Sequence, residues 1–171
     1  MSTPPPPPAD ELFLQAYDKH SDEIFRHCYF RTFDREQGKD LMQETFLRAW
    51  EFIAKGGEVR HMRGFLFKIA NNLIINNAKK KKTVSLDALA DVGFEPSHEG
   101  GAAMAKNVDE KAVLATMRTL PEEKRTILIM RYVEGLGPSE IAETLGLSAN
   151  VVSVRLHRAV EHLRTLLEDE A

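Results

Sequence analysis

Cysteine is nearly absent from this chain of 171 residues, and long apolar runs are absent altogether. Because Cys28 stands alone, neither an internal disulfide nor a thiolate-rich metal site can form. No stretch approaches the roughly 20 apolar residues that a helix needs to cross a bilayer. The first residues, MSTPPPPPADE, have neither the basic nor the apolar part of a secretion signal. We therefore expect no membrane segment and a cytoplasmic location.

Residue patterns that carry catalysis are also missing. There is no Ser/His/Asp set, no pair of carboxylates and no metal-binding cluster at a useful spacing. The histidines are scattered along the chain, at positions His20, His27, His61, His98, His157 and His162. We expect no enzyme activity, no catalytic residue, no cofactor and no metal. The function should therefore consist of binding.

Strand-like alternation is a third absence, and apolar residues recur instead at helical spacing. The sequence predicts an all-α fold, with two small helical domains joined by a flexible linker and a helix-turn-helix in the second domain. The residues DREQGK predict a break after the first helix. The helices are expected over residues 10–33, 39–54, 61–82, 108–118, 121–134, 138–145 and 148–167.

Composition divides the chain into four parts. Five prolines at residues 4–8 favour an extended conformation, so residues 1–9 are predicted to be a disordered tail. Glycines, small residues and acids with weak periodicity predict a linker over residues 84–107. The predicted domains are therefore residues 10–83 and residues 108–171.

Charge is strongly segregated, although the net charge is only −3. Residues 60–82 contain seven Lys and Arg and no acid, whereas residues 83–110 contain six acids and one Lys. Local fields therefore matter more than the total. The four lysines Lys79, Lys80, Lys81 and Lys82 end the third predicted helix, and we expect them to face a polyanion.

The stretch PSEIAETLGLSANVVSVRLHRA predicts a helix-turn-helix. Gly146 supplies a turn with positive φ, and Ser148 is a good N-cap for the second helix. With Val152, Leu156 and Leu163 inward, the second helix can enter the major groove of DNA. Arg pairs with guanine or phosphate, Asn with adenine, and valine contacts thymine methyls. The outward and flanking residues are Ser148, Asn150, Val151, Ser153, Val154, Arg155, His157 and Arg158.

The second predicted helix carries two surfaces. With Met42, Phe46 and Ala49 inward, a separate face remains that consists of Asp40, Gln43, Glu44, Leu47 and Trp50. Exposed apolar residues beside acids predict a partner-binding site. Trp50 taken alone is equally well explained as a core residue.

Three segments, in this order, resemble bacterial RNA polymerase sigma factors of the sigma-70 family: DLMQETFLRAW, RGFLFKIANNLIIN and LPEEKRTILIMRYVEGLGPSEIAETLGLSANVVSVRLHRA. They look most like the compact extracytoplasmic-function (ECF) group, since the segment between the domains is too short for the middle domain of larger members. The resemblance covers residues from about 10 to 167.

The resemblance implies a transcription initiation factor that binds core RNA polymerase and promoter DNA. The Asp40–Trp50 face would dock on the clamp helices of the β′ subunit, and the second domain would read the −35 element and sit on the β flap. The first domain would recognise and melt the −10 element. The residues for −10 contact are Asn71, Asn72, Asn76, Lys79, Lys80, Lys81 and Lys82. The resemblance also allows an anti-sigma factor as a partner.

The chain departs from the family pattern at a few positions. Asn71 and Asn76 stand where arginine and aspartate are common, Phe65 stands where tryptophan is common, and Val151 and Ser153 replace a common Thr and Lys. These residues bear on which promoter is read. Two alternatives remain open: a helix-turn-helix regulator that acts without polymerase, and a sigma-like decoy for an anti-sigma factor.

Overall fold

The structure is a computed structural model, and it describes residues 4–5, 7–87 and 108–169. Every regular element in these ranges is helical, which confirms the all-α prediction. Residues 88–107, most of the predicted linker, lie outside the described residues. The helices are α1 (Ala9–Thr32), α2 (Arg35–Ala54), α3 (Met62–Asp87), α4 (Val108–Thr119), α5 (Glu122–Leu128), α6 (Pro138–Leu145) and α7 (Ala149–Asp169), with a π-helix at Ile129–Val133.

Helix α2 begins earlier than the sequence predicted. The expected break over DREQGK is confined to Phe33 and Asp34. Phe33 closes α1 in the left-handed conformation, with φ of 53°. Asp34 then caps α2, since its side chain accepts a hydrogen bond from the backbone N–H of Gln37 at 3.1 Å. The polar residues of this segment therefore form a helix cap and a first helical turn rather than a loop.

A close approach joins α1 to α2. Gly38 is buried, and a Cβ added there would lie 3.2 Å from the backbone Cα of Tyr29. Only glycine gives these two backbones such a short separation without displacement. The pair packs against α3 around a core of large side chains, which includes Ile24, Phe46, Leu66 and Phe67.

Helix α3 is buried on a wider face than its predicted stripe. The inward stripe expected from the spacing consists of Met62, Phe65, Leu66, Ile69, Leu73 and Asn76. Asn76 is instead exposed, and Phe67, Ala70, Asn71 and Ile74 are buried in addition. The cause is that α3 packs against α1 and α2 on one side and against α6 of the second half on the other. The helix also continues to Asp87, past its predicted end at Lys82.

The second half contains the predicted helix-turn-helix. Gly146, with φ of 66°, links α6 to α7, and the Glu140 side chain accepts from the Gly137 N–H at 2.7 Å. Val152 and Ala159 of α7 are fully buried against Ile141 and the residues of α5. Pro121 precedes α5 as its N-cap rather than forming its first turn, one residue from the prediction. The predicted 121–134 helix also changes to π geometry at Ile129.

Candidate nucleic-acid and polymerase interfaces

The outward face of α7 is free in this arrangement of the helices. All eight residues that the sequence placed on this face are exposed, including Val151 at 40% and Val154 at 46%. Ser148 accepts a hydrogen bond at Oγ from the Val151 N–H over 3.2 Å, as a capping residue does. His157 lies 3.3 Å from Glu161 one turn on. The face therefore combines a cap, two exposed valines and two arginines.

The basic end of α3 is also at the surface. All four lysines are exposed, and Lys81 donates from Nζ to the Gln37 side chain at 2.8 Å. Asn72 and Asn76 are exposed, but Asn71 is 3% exposed. Its side-chain oxygen accepts a hydrogen bond from Nη1 of the buried Arg31 at 2.9 Å. Asn71 is therefore buried, whereas the other polar residues predicted to touch DNA are exposed.

The predicted partner face of α2 is mostly exposed. Leu47 is 51% exposed, Asp40 and Gln43 are exposed, and Glu44 pairs with Arg48 at 2.8 Å. Trp50 is half-buried, and its ring lies edge-on to Phe13 with centroids 5.3 Å apart. Trp50 therefore packs on α1 as a core residue does, and it remains partly exposed as a residue of the partner face does.

Apolar residues of α1 lie beside this face, and the sequence analysis did not select them. Tyr17 is 38% exposed, and its ring packs 4.9 Å from that of Phe46 on α2. Leu14 is 60% exposed. Phe13 and Tyr17 lie one helical turn apart, and this spacing is the signal in the sequence that points to an apolar face on α1.

One cleft brings the two predicted DNA-contacting regions together. A cavity of about 380 Å³ lies between the halves. Lys79 and Lys82 of α3 line it together with Arg155 of α7, and Arg31 and Asn71 form part of its wall. Two acids of α5, Glu122 and Glu123, also line the cleft. In this arrangement the basic residues of both halves therefore face a common space.

Charged residues connect the halves around this cleft. Arg31 of α1 reaches Glu122 of α5 at 3.3 Å. Arg63 of α3 pairs with Glu23 of α1 at 2.9 Å. The same guanidinium reaches the second half, where it lies 3.7 Å from Glu140 of α6 and donates from Nη2 to the backbone carbonyl of Glu134. These contacts hold the two halves in a closed arrangement.

Cation–π contacts also connect the two halves. The guanidinium groups of Arg118 and Arg125, both in the second half, lie over the Phe33 ring at 4.7 and 5.4 Å from its centroid. Such cation–π contacts contribute roughly 0.5–2 kcal/mol each, depending on how far they are shielded from water.

Burial shifts the pKa values of several groups at and near this contact. Desolvation lowers the pKa of His27 to about 3, with a smaller contribution from Arg31. Desolvation raises the pKa of the Cys28 thiol to about 12 and that of the Glu134 carboxyl to about 7. Among the described residues, no three His, Cys, Asp or Glu side chains are grouped to hold a metal ion. No helix in the described ranges has the length and apolarity required to cross a membrane.

Sequence models of two family regions match this chain. The model of Sigma-70 region 2 matches residues 16–84, and that of Sigma-70 region 4 matches residues 110–163. The chain belongs to the sigma-70 family. Region 2 includes α2 and most of α3, and region 4 includes the helix-turn-helix. The protein is thus a sigma factor, which is a transcription initiation factor.

Relatives of similar length place this sigma factor in the ECF group. It is 29% identical to the ECF RNA polymerase sigma factor SigL of Mycobacterium tuberculosis over 159 residues, covering 92% of this chain and 90% of SigL. It is 28% identical to the ECF RNA polymerase sigma factor SigW of Bacillus subtilis, covering 93% of this chain and 90% of SigW. The ECF assignment from the sequence motifs is therefore confirmed.

Two solved structures share the fold. One is the sigma factor RpoE in complex with the anti-sigma factor NepR from Bartonella quintana, with a TM-score of 0.74, 18% identity and coverage of 92% of this chain and 98% of that one. The other is CnrH in complex with the cytosolic domain of CnrY, with a TM-score of 0.66, 22% identity and coverage of 95% and 91%. At these identities the likeness concerns the fold.

Proposed function

We propose that this sigma factor binds core RNA polymerase through α2, contacts the −10 element through α3 and the −35 element through α7, and promotes local melting without catalysing a reaction. One observation carries the proposal: a single chain combines an exposed apolar and acidic face on α2 with a basic helix-turn-helix face on α7. An ordinary helix-turn-helix regulator has no use for the first of these faces.

The polymerase contact assigned to α2 involves Asp40, Gln43, Glu44, Leu47 and Trp50. Leu47 supports it most directly, because a leucine with half of its surface exposed gains free energy when a partner covers it. The two acids add charge complementarity, which favours the rate and orientation of association more than affinity. Clamp helices of the polymerase β′ subunit are the expected partner.

Contact with the −10 element is assigned to α3. Exposed lysines at its end bind phosphates, which gives affinity that depends on salt but not on sequence. Asn72 and Asn76, one helical turn apart and exposed, can donate to and accept from unstacked bases. Asn71 supports the site from within, through its hydrogen bond with Arg31. The energy of polymerase binding helps to offset the cost of separating the strands.

Contact with the −35 element is assigned to the outward face of α7. Asn150, Arg155 and Arg158 offer polar contacts to base edges or phosphates, and Val151 and Val154 offer apolar contacts to thymine methyls. Ser148, Ser153 and His157 complete this face. Because no acid lies between Ser148 and Arg158, the face attracts DNA along its whole length.

The closed arrangement cannot contact both elements at once. Elements centred near −10 and −35 are about 25 base pairs apart, which is roughly 85 Å along B-DNA at 3.4 Å per base pair. Lys79, Lys82 and Arg155, however, line one cavity of about 380 Å³. The two halves must therefore separate when the sigma factor engages a promoter.

The remaining assignments follow from the same proposal. The first domain, predicted over residues 10–83, extends from Ala9 to Asp87 because α1 begins and α3 ends there, and we assign it the −10 and polymerase contacts. The predicted linker over residues 84–107 is accordingly limited to residues 88–107. Residues 108–171 are the −35 domain, and the residues before α1 are a tail. The protein acts in the cytoplasm, where polymerase and DNA are found. Because solved structures of this fold contain anti-sigma factors, we include an anti-sigma factor among the partners.

Two reciprocal variants test the proposal. Leu47→Asp should abolish binding to core polymerase while leaving −35 DNA binding by the isolated chain intact. Val154→Asp should retain polymerase binding but lose run-off transcription from a −35-dependent promoter. If wild type does not bind core polymerase but binds duplex DNA, the chain is an independent regulator. If it binds neither, and captures only an anti-sigma factor, it is a decoy.

A further inference from the structure

Glu134 is an acidic residue buried in the contact between the two halves. It follows the π-helix, and 5% of it is exposed. Neither carboxyl oxygen has a hydrogen-bond partner among the residues that the structure describes. An ionised carboxylate without partners is far more costly to bury than the neutral acid, because the charge loses its hydration. The closed arrangement therefore favours the protonated form.

The groups that act electrostatically on Glu134 belong to the first half of the chain. Helix α1 contributes the Glu23 carboxylate, the Arg26 guanidinium and the Cys28 thiol, and helix α3 contributes the Arg63 guanidinium. From α6, Glu140 joins the same charged network, with its carboxylate 3.7 Å from the Arg63 guanidinium. Glu134 is thus buried by the packing of one half against the other, and separation of the halves would return it to water.

Arg26 and Arg63 are the two arginines whose charges act on this carboxyl, and the contacts that Arg63 makes go to other groups. Its Nε bonds to Glu23 at 2.9 Å, and its Nη2 donates to the backbone carbonyl of Glu134 rather than to the carboxylate. Its Nη1 faces Glu140. Neither Arg26 nor Arg63 forms a hydrogen bond with the Glu134 carboxyl oxygens, which have no partner among the described residues.

We propose that the protonation state of Glu134 controls whether the two halves of this sigma factor close on each other. The neutral acid is compatible with burial in this contact. The carboxylate favours separation, because water can then solvate it. Only a proton is exchanged, between the carboxyl group and solvent.

The direction of the effect follows from linkage. Burial raises the pKa of Glu134 from 4.5 to about 7 in the closed arrangement. The closed form therefore binds the proton more tightly than the open form, so that closure is favoured at low pH and weakened as pH rises toward 7. If the carboxyl regains its ordinary pKa on opening, the ratio of closed to open molecules falls about tenfold between pH 6 and pH 8.

The neighbouring buried groups do not titrate in this window. The pKa of His27 is lowered to about 3 and that of Cys28 is raised to about 12, in both cases mainly by burial. The functional consequence rests on the proposed function: a rise in pH would increase the fraction of molecules able to span both promoter elements.

Small-angle X-ray scattering on the full chain at pH 6 and pH 8 tests the proposal. The radius of gyration of wild type should increase at pH 8. Glu134→Gln, which imitates the neutral acid, should remain compact at both values. Glu143→Gln removes an exposed acid from α6 and should expand as wild type does. Glu134→Met, of similar length and without charge, is a second compact variant if the glutamine variant does not fold.

Two results would overturn the proposal: a wild-type radius of gyration that is the same at both pH values, or an expansion of both folded Glu134 variants equal to that of wild type. Failure of the proposed function looks different. In that case the chain would still expand at pH 8 but would bind neither core polymerase nor promoter DNA at either pH.

Discussion

Arg31 donates a hydrogen bond to Asn71 over 2.9 Å, and both residues are buried. The same guanidinium reaches Glu122 in the second half of the chain at 3.3 Å. Asn71, which the sequence suggests as a base contact, is thus part of a polar connection that begins in the core of region 2 and ends in region 4. Its neighbours Asn72 and Asn76 have no such role in the described structure.

Replacing Arg31 should destabilise the protein. In Arg31→Met the Asn71 oxygen would lose the donor that bonds it, and an unsatisfied buried acceptor costs about 1–3 kcal/mol. Urea denaturation should show a decrease of that size in the free energy of unfolding. Arg48→Ala, which removes only an exposed pair one helical turn from Glu44, should change it by less than about 0.5 kcal/mol. If the two variants lowered the free energy of unfolding equally, the buried contact would contribute no more to stability than the exposed pair.

The asparagines should separate into two classes. Asn71→Ala should lower stability by about 1–3 kcal/mol, because Arg31 loses its acceptor, with the order of preference among −10 sequences unchanged. Asn76→Ala should leave stability within about 0.5 kcal/mol of wild type and alter that preference. Denaturation and a run-off assay over a −10 library measure the two properties. Altered preference in Asn71→Ala alone would reverse the assignment.

Two lysines that line the cleft should control the salt dependence of DNA binding. Each neutralised phosphate contributes roughly 0.7–0.9 to the slope of log affinity against log salt. The double variant Lys79→Ala/Lys82→Ala should therefore reduce that slope by about 1.5, measured by fluorescence anisotropy with −10 DNA. Lys19→Ala/Lys39→Ala makes the same change in net charge on α1 and α2 and should leave the slope as it is. If the two double variants had the same slope of log affinity against log salt, the α3 lysines would not contact DNA.

Arg158 should discriminate between −35 sequences. If it pairs with a base edge, Arg158→Ala should cost about 1–3 kcal/mol on the preferred sequence and much less on others. Arg164, exposed further along α7, provides a matched control whose replacement should affect all sequences alike or none. An equal loss on every −35 sequence for Arg158→Ala would identify a phosphate contact instead.

His27 should limit stability in acid. It is fully buried, both ring nitrogens lack partners among the described residues, and burial lowers its pKa from 6.5 to about 3. The unfolded chain then binds the proton more tightly, so stability contributed by neutral His27 is complete above pH 6.5 and falls by roughly 1.4 kcal/mol per pH unit below it, until about pH 3.

The test is the difference between wild type and His27→Leu, which removes the titrating ring at similar volume. The free-energy difference between the two should move in favour of the variant as pH falls from 6.5 to 4.5. The comparison is needed because Glu134 has the opposite dependence in part of this range.

Local periodicity was sufficient to predict most of the fold. The inward set of α7 and the capping Ser148 followed from spacing, because each depends on residues within one or two helical turns. The start of α2 was missed since Asp34 was treated as part of a loop although aspartate is a frequent N-cap. The second buried face of α3 could not be predicted, because it depends on packing against α6, which lies far along the chain, and on the hydrogen bond from Arg31 to Asn71.

The same limit applies to the site. Exposed residues of α7 and the lysines of α3 were selected by type and position, and the structure places them at the surface. Their meeting in one cleft is a property of how the halves pack, to which Arg31, Arg63 and Phe33 contribute. No local sequence pattern marks these three residues as contacts between domains.

The π-helix at Ile129–Val133 sets the direction in which Glu134 points. The Glu134 N–H bonds to the Ile129 carbonyl, five residues back, at 3.0 Å, so this turn contains one residue more than an α-helical turn. Removing one residue from the turn would restore α-helical spacing and rotate the following side chain by about 100°. A one-residue deletion is therefore the smallest change that would move the acid away from α1 while leaving its chemistry intact.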